Sequence, residues 1–239
     1  MQNDILDILF LDIETVATVP DYAQLDERLK VQWARKATYL KKDEQQTDAD
    51  LFHERAGIYA EFGKIICVGL ARLKQKEDSK ELVLNTKAIY GDDEKELLLE
   101  FKRWLDKSGN QVRLCAHNGK EFDFPYLCRR MLVNGIPLPY VLDISGKKPW
   151  EVAHLDTMDM WKFGDYKHYT SLDLLAAIFQ IPSSKTDIDG SMVNRVYHQD
   201  KNLEKIASYC VNDTVVVAQL YLKMKGLALI EEHNIIRHS

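Results

Sequence analysis

The chain has 239 residues, 29% of them charged and 46% hydrophobic, with a formal net charge of −5. That length suits one large α/β domain or two small ones, and the balance is that of an ordinary soluble globular protein. The acidic charge argues against a protein that coats nucleic acid non-specifically, but not against an enzyme acting on nucleic acid, because acids gathered at a metal ion are neutralised by it.

An apolar run from Ile5 to Leu11, interrupted only by Asp7, predicts a strand buried on both faces and ending at Asp12-Ile13-Glu14-Thr15. Side chains alternate along a strand, so Asp12 and Glu14 point the same way. Two carboxylates that close repel each other, and a hard divalent cation between them is the simplest remedy. Taken alone, however, Asp-x-Glu is better read as a strand end with two solvated acids. The residues from Pro20 to about Glu61 are highly charged, with a Lys41-Lys42-Asp43-Glu44-Gln45-Gln46 run, and predict a surface insertion of one or two helices around Leu25–Trp33 and Leu51–Tyr59.

Lys64 to Ala71 reads as a second core strand, and Glu81 to Tyr90 as a third, which together make a meander. The segment after Gly91 predicts a helix with acids in its first turn and an apolar stripe of Leu97, Leu98, Phe101, Trp104 and Leu105, stopped by Gly109. A strand from Val112 to Ala116 delivers the chain to His117-Asn118-Gly119-Lys120-Glu121-Phe122-Asp123-Phe124-Pro125. Pro125 suits a helix's first turn, and Asp123 then reads as its N-cap. Ile136 to Trp150 is a loop, and His154 to Trp161 a short strand leading into another loop. Thr170 or Ser171 caps a helix that closes at Pro182, and Ser183 to Tyr197 is polar and irregular, with Asp187 and Asp189.

The last long helix spans about Leu203 to Met224, with Ile206, Tyr209, Cys210, Val217, Leu220, Tyr221 and Met224 facing inward. Asp213 lies on the same face, four residues after Tyr209. An ionised, unpaired carboxylate on a core-facing stripe costs several kcal/mol, so Asp213 calls for a buried partner. The four cysteines, Cys67, Cys115, Cys128 and Cys210, lack paired metal-ligand spacing, and three of them read as reduced core residues. No apolar stretch is long enough to span a membrane, and the chain enters its first strand without a basic region or cleavage signal. A cytoplasmic protein without a membrane role is expected.

Asp12-x-Glu14 at a strand, Asn118-x-x-x-Phe122-Asp123 at a helix start and Tyr209-x-x-x-Asp213 on a late helix form an ordered set. It resembles the three motifs of the DEDD superfamily of 3′–5′ exonucleases, and the tyrosine of its third motif is that of the DEDDy branch. The second motif is similar to that of the proofreading domain of family-B DNA polymerases, and the chain resembles the stand-alone bacterial exonucleases related to that domain. The resemblance covers nearly the whole chain, as one exonuclease domain over 1–239 with an insertion at about 20–60.

The resemblance implies an α/β, ribonuclease H-like fold, a mixed sheet flanked by helices. It also implies two divalent ions, magnesium or manganese, held by Asp12, Glu14, Asp123 and Asp213. Asp12 would bridge them, Glu14 and Asp213 would hold the ion that activates water, and Asp123 the other. Tyr209 would orient the attacking water. Thr15, Asn118 and Phe122 match positions that support the terminal nucleotides. His117 reads as structural, and Asp156, Asp159 and Asp173 as structural or surface acids. The implied substrate is a single-stranded DNA 3′ end, with any polymerase or repair partner a separate chain. An exonuclease acting on RNA or short oligonucleotides and a non-catalytic nucleic-acid-binding protein stay open at this stage.

Overall fold

The computed structural model describes residues 2–41, 45–79, 81–165, 169–182 and 188–238; residues 42–44 of the charged run and residues 183–187, Asp187 among them, lie outside the described residues. A short helix, α1 (Gln2–Leu6), leads into β1 (Ile8–Ala17). The expected first strand therefore starts later and ends later than its apolar run suggested. The Arg72 Nε–H donates to the Leu6 carbonyl at 2.9 Å, and an Arg113 guanidinium N–H donates to that of Asp4 at 2.8 Å. These two donors satisfy carbonyls at the helix end, so Ile5 and Leu6 finish a helix instead of opening a strand. Asp12 and Glu14 consequently sit inside β1, not at its end.

The insertion contains α2 (Glu27–Leu40) and α3 (Asp48–Arg55), followed by a 3-10 turn at Ala56–Ile58. Asp26 caps α2, and a reciprocal Thr47–Asp50 capping box opens α3. Trp33, Ala37, Leu51, Phe52 and Phe62 form a local core around Ala17 of β1. The Trp33 indole N–H donates to the Asp48 carbonyl at 2.8 Å, tying the two helices together.

Next come β2 (Gly63–Gln75), β3 (Leu82–Tyr90), α4 (Glu94–Ser108), β4 (Arg113–Ala116) and α5 (Asp123–Val133). They are followed by β5 (Leu155–Asp156), α6 (Thr157–Lys162), α7 (Leu172–Ile178) and α8 (Val193–Arg195), the last continued by a π turn at Val196–Asp200. The long α9 (Leu203–Met224) precedes β6 (Ile235–His238). The strand expected over His154–Trp161 is confined to β5, and its remainder is α6, because the Asp156 carboxylate accepts the Met158 and Asp159 amides and caps a helix there.

The six strands are ordered β5-β4-β1-β2-β3-β6. β1 to β3 form the antiparallel meander, whereas β4, β5 and β6 join in parallel. Odd-numbered residues of β1 (Leu9, Leu11, Ile13) pack with Leu98 and Phe101 of α4 and Phe124 of α5. Ile8 and Phe10 lie on the other face with Val217, Ala218 and Tyr221 of α9. The mixed sheet is thus flanked by helices on both faces. No described helix is long and apolar enough to cross a membrane.

Candidate active site

β1 and α9 both change from apolar to acidic at the same level. On the α9 side of β1, Ile8 and Phe10 are followed by Asp12 and Glu14; on α9, Tyr221 and Val217 are followed, going back one turn at a time, by Asp213 and Tyr209. Phe10 stacks on Tyr221 with ring centroids 5.5 Å apart, and the Cys210 Sγ lies 3.6 Å from an Asp12 carboxylate oxygen. The two elements therefore run past each other with their apolar halves packed and their acidic halves opposed. Gly69 of β2, the register partner of Asp12, allows the close approach. A Cβ at position 69 would strike the Thr214 hydroxyl and come within 2.7 Å of the Cys210 carbonyl.

Asp123 arrives from the other side. It is the first residue of α5, with Phe122 in the cap position. The expectation that Asp123 caps this helix is therefore corrected by one residue, and its carboxylate is buried beside β1 with only 3% exposure. β1 pairs with β4 only at Ile8–Phe10, and beyond that level the two strands part. A register shift between Glu14 and Thr15 interrupts pairing with β2 as well. Such bulges re-aim side chains beside functional sites.

The result is a cleft of about 870 Å³ lined by Asp12, Glu14, Thr15, Asn118, Phe122, Asp123, Tyr209 and Asp213, all eight residues that the sequence singled out. Glu14 and Asp213 are 7% and 9% exposed. Burial, followed by repulsion from Glu14, Asp213 and Asp123, holds the Asp12 carboxyl well above the usual carboxylate range. The same two causes, burial first and then repulsion from Asp213 and Asp123, raise Glu14. Burial pushes Asp123 up to about 7, partly offset by backbone amides of Asp123 and Ile13. The Tyr209 hydroxyl donates to Asp213, and burial and the surrounding acids drive its pKa far above that of a free phenol.

Carboxylate oxygens are hard ligands, and buried acids such as Asp12 and Glu14, raised further by the charges of Asp123 and Asp213, are in the state that a divalent cation relieves. Among the described residues, the tightest group of metal-ligand atoms is that of Asp12, Glu14 and Cys210, all within 4.8 Å of one another. The two carboxylates of that group are hard donors that fit a divalent cation, the Cys210 thiol is a soft one, and Asp123 and Asp213 line the same cleft outside it. Cys210 was not singled out from sequence. Its thiol reads there as one more apolar position on the α9 stripe, and only the approach of β1 reveals its neighbour.

The remaining features of the cleft are held from within the protein. Asn118 adopts a left-handed backbone, φ 62°, while its amide donates to Asp156 at 2.9 Å. Its side-chain oxygen is buried without a partner among the described residues. A strained residue with an unpaired acceptor at a cleft is a common mark of a binding position. Asp156 accepts amides of Asn118, Lys120, Met158 and Asp159, so it shapes the loop. His117 is neutral, its pKa lowered by burial, and both ring nitrogens are engaged, by Thr157 and by the Thr170 carbonyl. Asp159 pairs with Lys120 and Lys162, each at 3.6 Å, and Asp173 lines the cleft.

One family, described as predicted 3′–5′ exonucleases related to the exonuclease domain of PolB, matches residues 58–233. The chain belongs to this family. The part that matches the PolB-related exonucleases contains Asn118, Phe122, Asp123, Tyr209 and Asp213, and it begins after Asp12, Glu14 and the two insertion helices. The chain is also similar to the family B DNA polymerase from the hyperthermophilic archaeon Pyrobaculum calidifontis. The TM-score is 0.54 at 13% identity over 90% of this chain. The chain spans 24% of that polymerase, and the likeness is one of fold, the ribonuclease H-like mixed sheet.

Proposed function

We propose that this PolB-related exonuclease is a metal-dependent enzyme that hydrolyses the last phosphodiester at the 3′ end of single-stranded DNA, releasing nucleoside 5′-monophosphates. One observation carries the reading: four carboxylates and a tyrosine from β1, α5 and α9 meet in one cleft of a chain that belongs to an exonuclease family. Two divalent cations, magnesium or manganese, would supply a lowered water pKa and neutralise charge on the phosphate and the leaving oxygen.

The residues of the chain have separate tasks. Asp12, Glu14, Asp123 and Asp213 would hold the cations. Tyr209 stays protonated, because burial and its acidic neighbours disfavour the phenolate. A phenol is a poor general base at neutral pH, and its hydroxyl is suited to positioning water by hydrogen bonding. Water adds to phosphorus, the bond to the 3′-oxygen of the preceding nucleotide breaks, and that oxygen takes up a proton. Thr15, Asn118 and Phe122 support the strand end. Phe122 packs at 5.4 Å on Tyr126 while lining the cleft, so its ring is braced for stacking on a base.

The test is digestion of 3′-end series of single-stranded DNA and RNA with magnesium or manganese, comparing wild type with Asp213→Ala. The expected outcome is 3′ release of monophosphates from DNA, abolished by EDTA and reduced by at least about 10³-fold, about 4 kcal/mol, in the variant. Preference for RNA would move the substrate to the second polymer. Equal cutting by Asp213→Ala, or no cutting of either polymer, would sink the assignment.

A further inference from the structure

The insertion does more than decorate the surface. His53, Glu54, Arg55, Gly57 and Ile58, from the end of α3 and the 3-10 turn after it, form a wall of the same cleft. Their placement is firm. A Cβ at Gly57 would lie 3.2 Å from the Val16 backbone and 3.3 Å from the Thr15 carbonyl, so this turn rests directly on β1 just beyond Glu14. The Tyr126 hydroxyl donates to the Gly57 carbonyl at 2.7 Å. On the other side, Asn194 bridges the His53 carbonyl and the Ala17 amide, at 3.3 and 3.0 Å.

The cations of the insertion differ in what they do. Lys30 pairs with Glu27, Lys41 with Asp48, and Lys36 sits 3.9 Å over the Tyr59 ring. Arg55 is partly buried and makes no hydrogen bond or ion pair among the described residues, although Glu54 shares its wall. It is also the sole Lys or Arg among the described residues that line the cleft. A partly buried guanidinium without an anion forgoes charge-assisted bonds, and its planar fork suits a phosphate. A cleft floored by acids has cations for the phosphate under attack, but a polyanionic strand brings further phosphates.

We infer that Arg55 binds a phosphate of the nucleic-acid strand next to the one that is cut, which makes the helical insertion a substrate-holding wall. This deepens the exonuclease reading and rests on it. Arg55 is a positioning residue: it holds the strand so that its end reaches the acids.

The test measures binding apart from hydrolysis. Anisotropy of a labelled oligothymidylate is followed against salt concentration in calcium for wild type, Arg55→Gln and Arg55→Lys. Loss of one phosphate contact lowers the slope of log affinity against log salt by about 0.7. Arg55→Gln is expected to show that loss and roughly tenfold weaker binding, as for one charge-assisted hydrogen bond. Arg55→Lys is expected to keep the wild-type slope, which a general loss of structure would not. Equal slopes for wild type and Arg55→Gln would overturn the inference. A wild type that cuts neither polymer, yet loses slope in Arg55→Gln, would overturn the exonuclease reading and leave Arg55 as a phosphate ligand.

Discussion

Two of the buried charged groups among the described residues are built on opposite plans. At the foot of α4 and α5, Glu94 is fully matched. The Arg130 guanidinium donates to both its oxygens, at 2.8 and 2.6 Å, while the Ile65 amide and the Asn134 side chain complete the set. A further Arg130 N–H reaches the Ala60 carbonyl at 2.9 Å. In the cleft, acids face acids, and among the described residues Asp12, Glu14 and Asp123 form no ion pair. The first group is closed by the chain itself; the second is left open toward the cleft. A closed cluster fixes structure, and an open one of this kind marks where a ligand acts.

The contrast can be broken most severely at Arg130. Arg130→Ala would leave Glu94 buried and unmatched, turning the closed cluster into an open one with no ligand to relieve it. A loss of about 3–5 kcal/mol in denaturant-unfolding stability is expected. A loss under about 1 kcal/mol would show that water reaches Glu94 and that the two clusters are alike.

The open cluster persists because α9 is packed against the sheet beneath it, and Gly69 is where that packing is tightest. Gly69→Ala is expected to cost about 1–3 kcal/mol by overpacking, and to lower nuclease activity as Asp213 and Tyr209 move away from Asp12. Unfolding and digestion assays on the same sample would check both. Full activity would mean that the cleft adapts where the core does not.

The smallest expected effect concerns pH. Asp123, held at about 7 in the fold, binds a proton more readily there than in the unfolded chain. Its contribution to stability is thus complete below about pH 4, and it is lost as pH rises through about 7. Metal-free protein should become less stable between about pH 6 and 7 by on the order of 1 kcal/mol. Asp123→Asn should flatten that slope, and manganese should restore stability at the alkaline end. Thermal melts across this range measure it, and a metal-free protein most stable at pH 8 would contradict the sign.

The sequence showed those parts whose cause is local. The stripe of α4 and its acidic first turn, the meander of β1 to β3, and the inward face of α9 all follow from periodicity and composition. The like orientation of Asp12 and Glu14 follows from the strand repeat. What the sequence could not show depends on distant partners. Ile5 and Leu6 look like strand residues until Arg72 and Arg113 arrive to hold carbonyls of α1. The bulge after Glu14 has no composition mark, since it arises between two strands. Cys210 is an ordinary helix position until β1 lies against it, and Arg55 resembles any surface arginine until the turn at Gly57 rests on β1.

The distance along the chain between the two halves of the cleft has a consequence in time. Asp12 and Cys210, neighbours in space, are 198 residues apart in sequence. As the chain is made, Asp12 emerges 198 residues before Cys210 of α9, and contacts of such long range form late. A half-made chain on the ribosome therefore carries Asp12 and Glu14 on β1, paired with β2, before α9 brings Asp213 opposite them. The acid cluster is finished only when α9 docks, after the insertion wall of the same cleft has already been made.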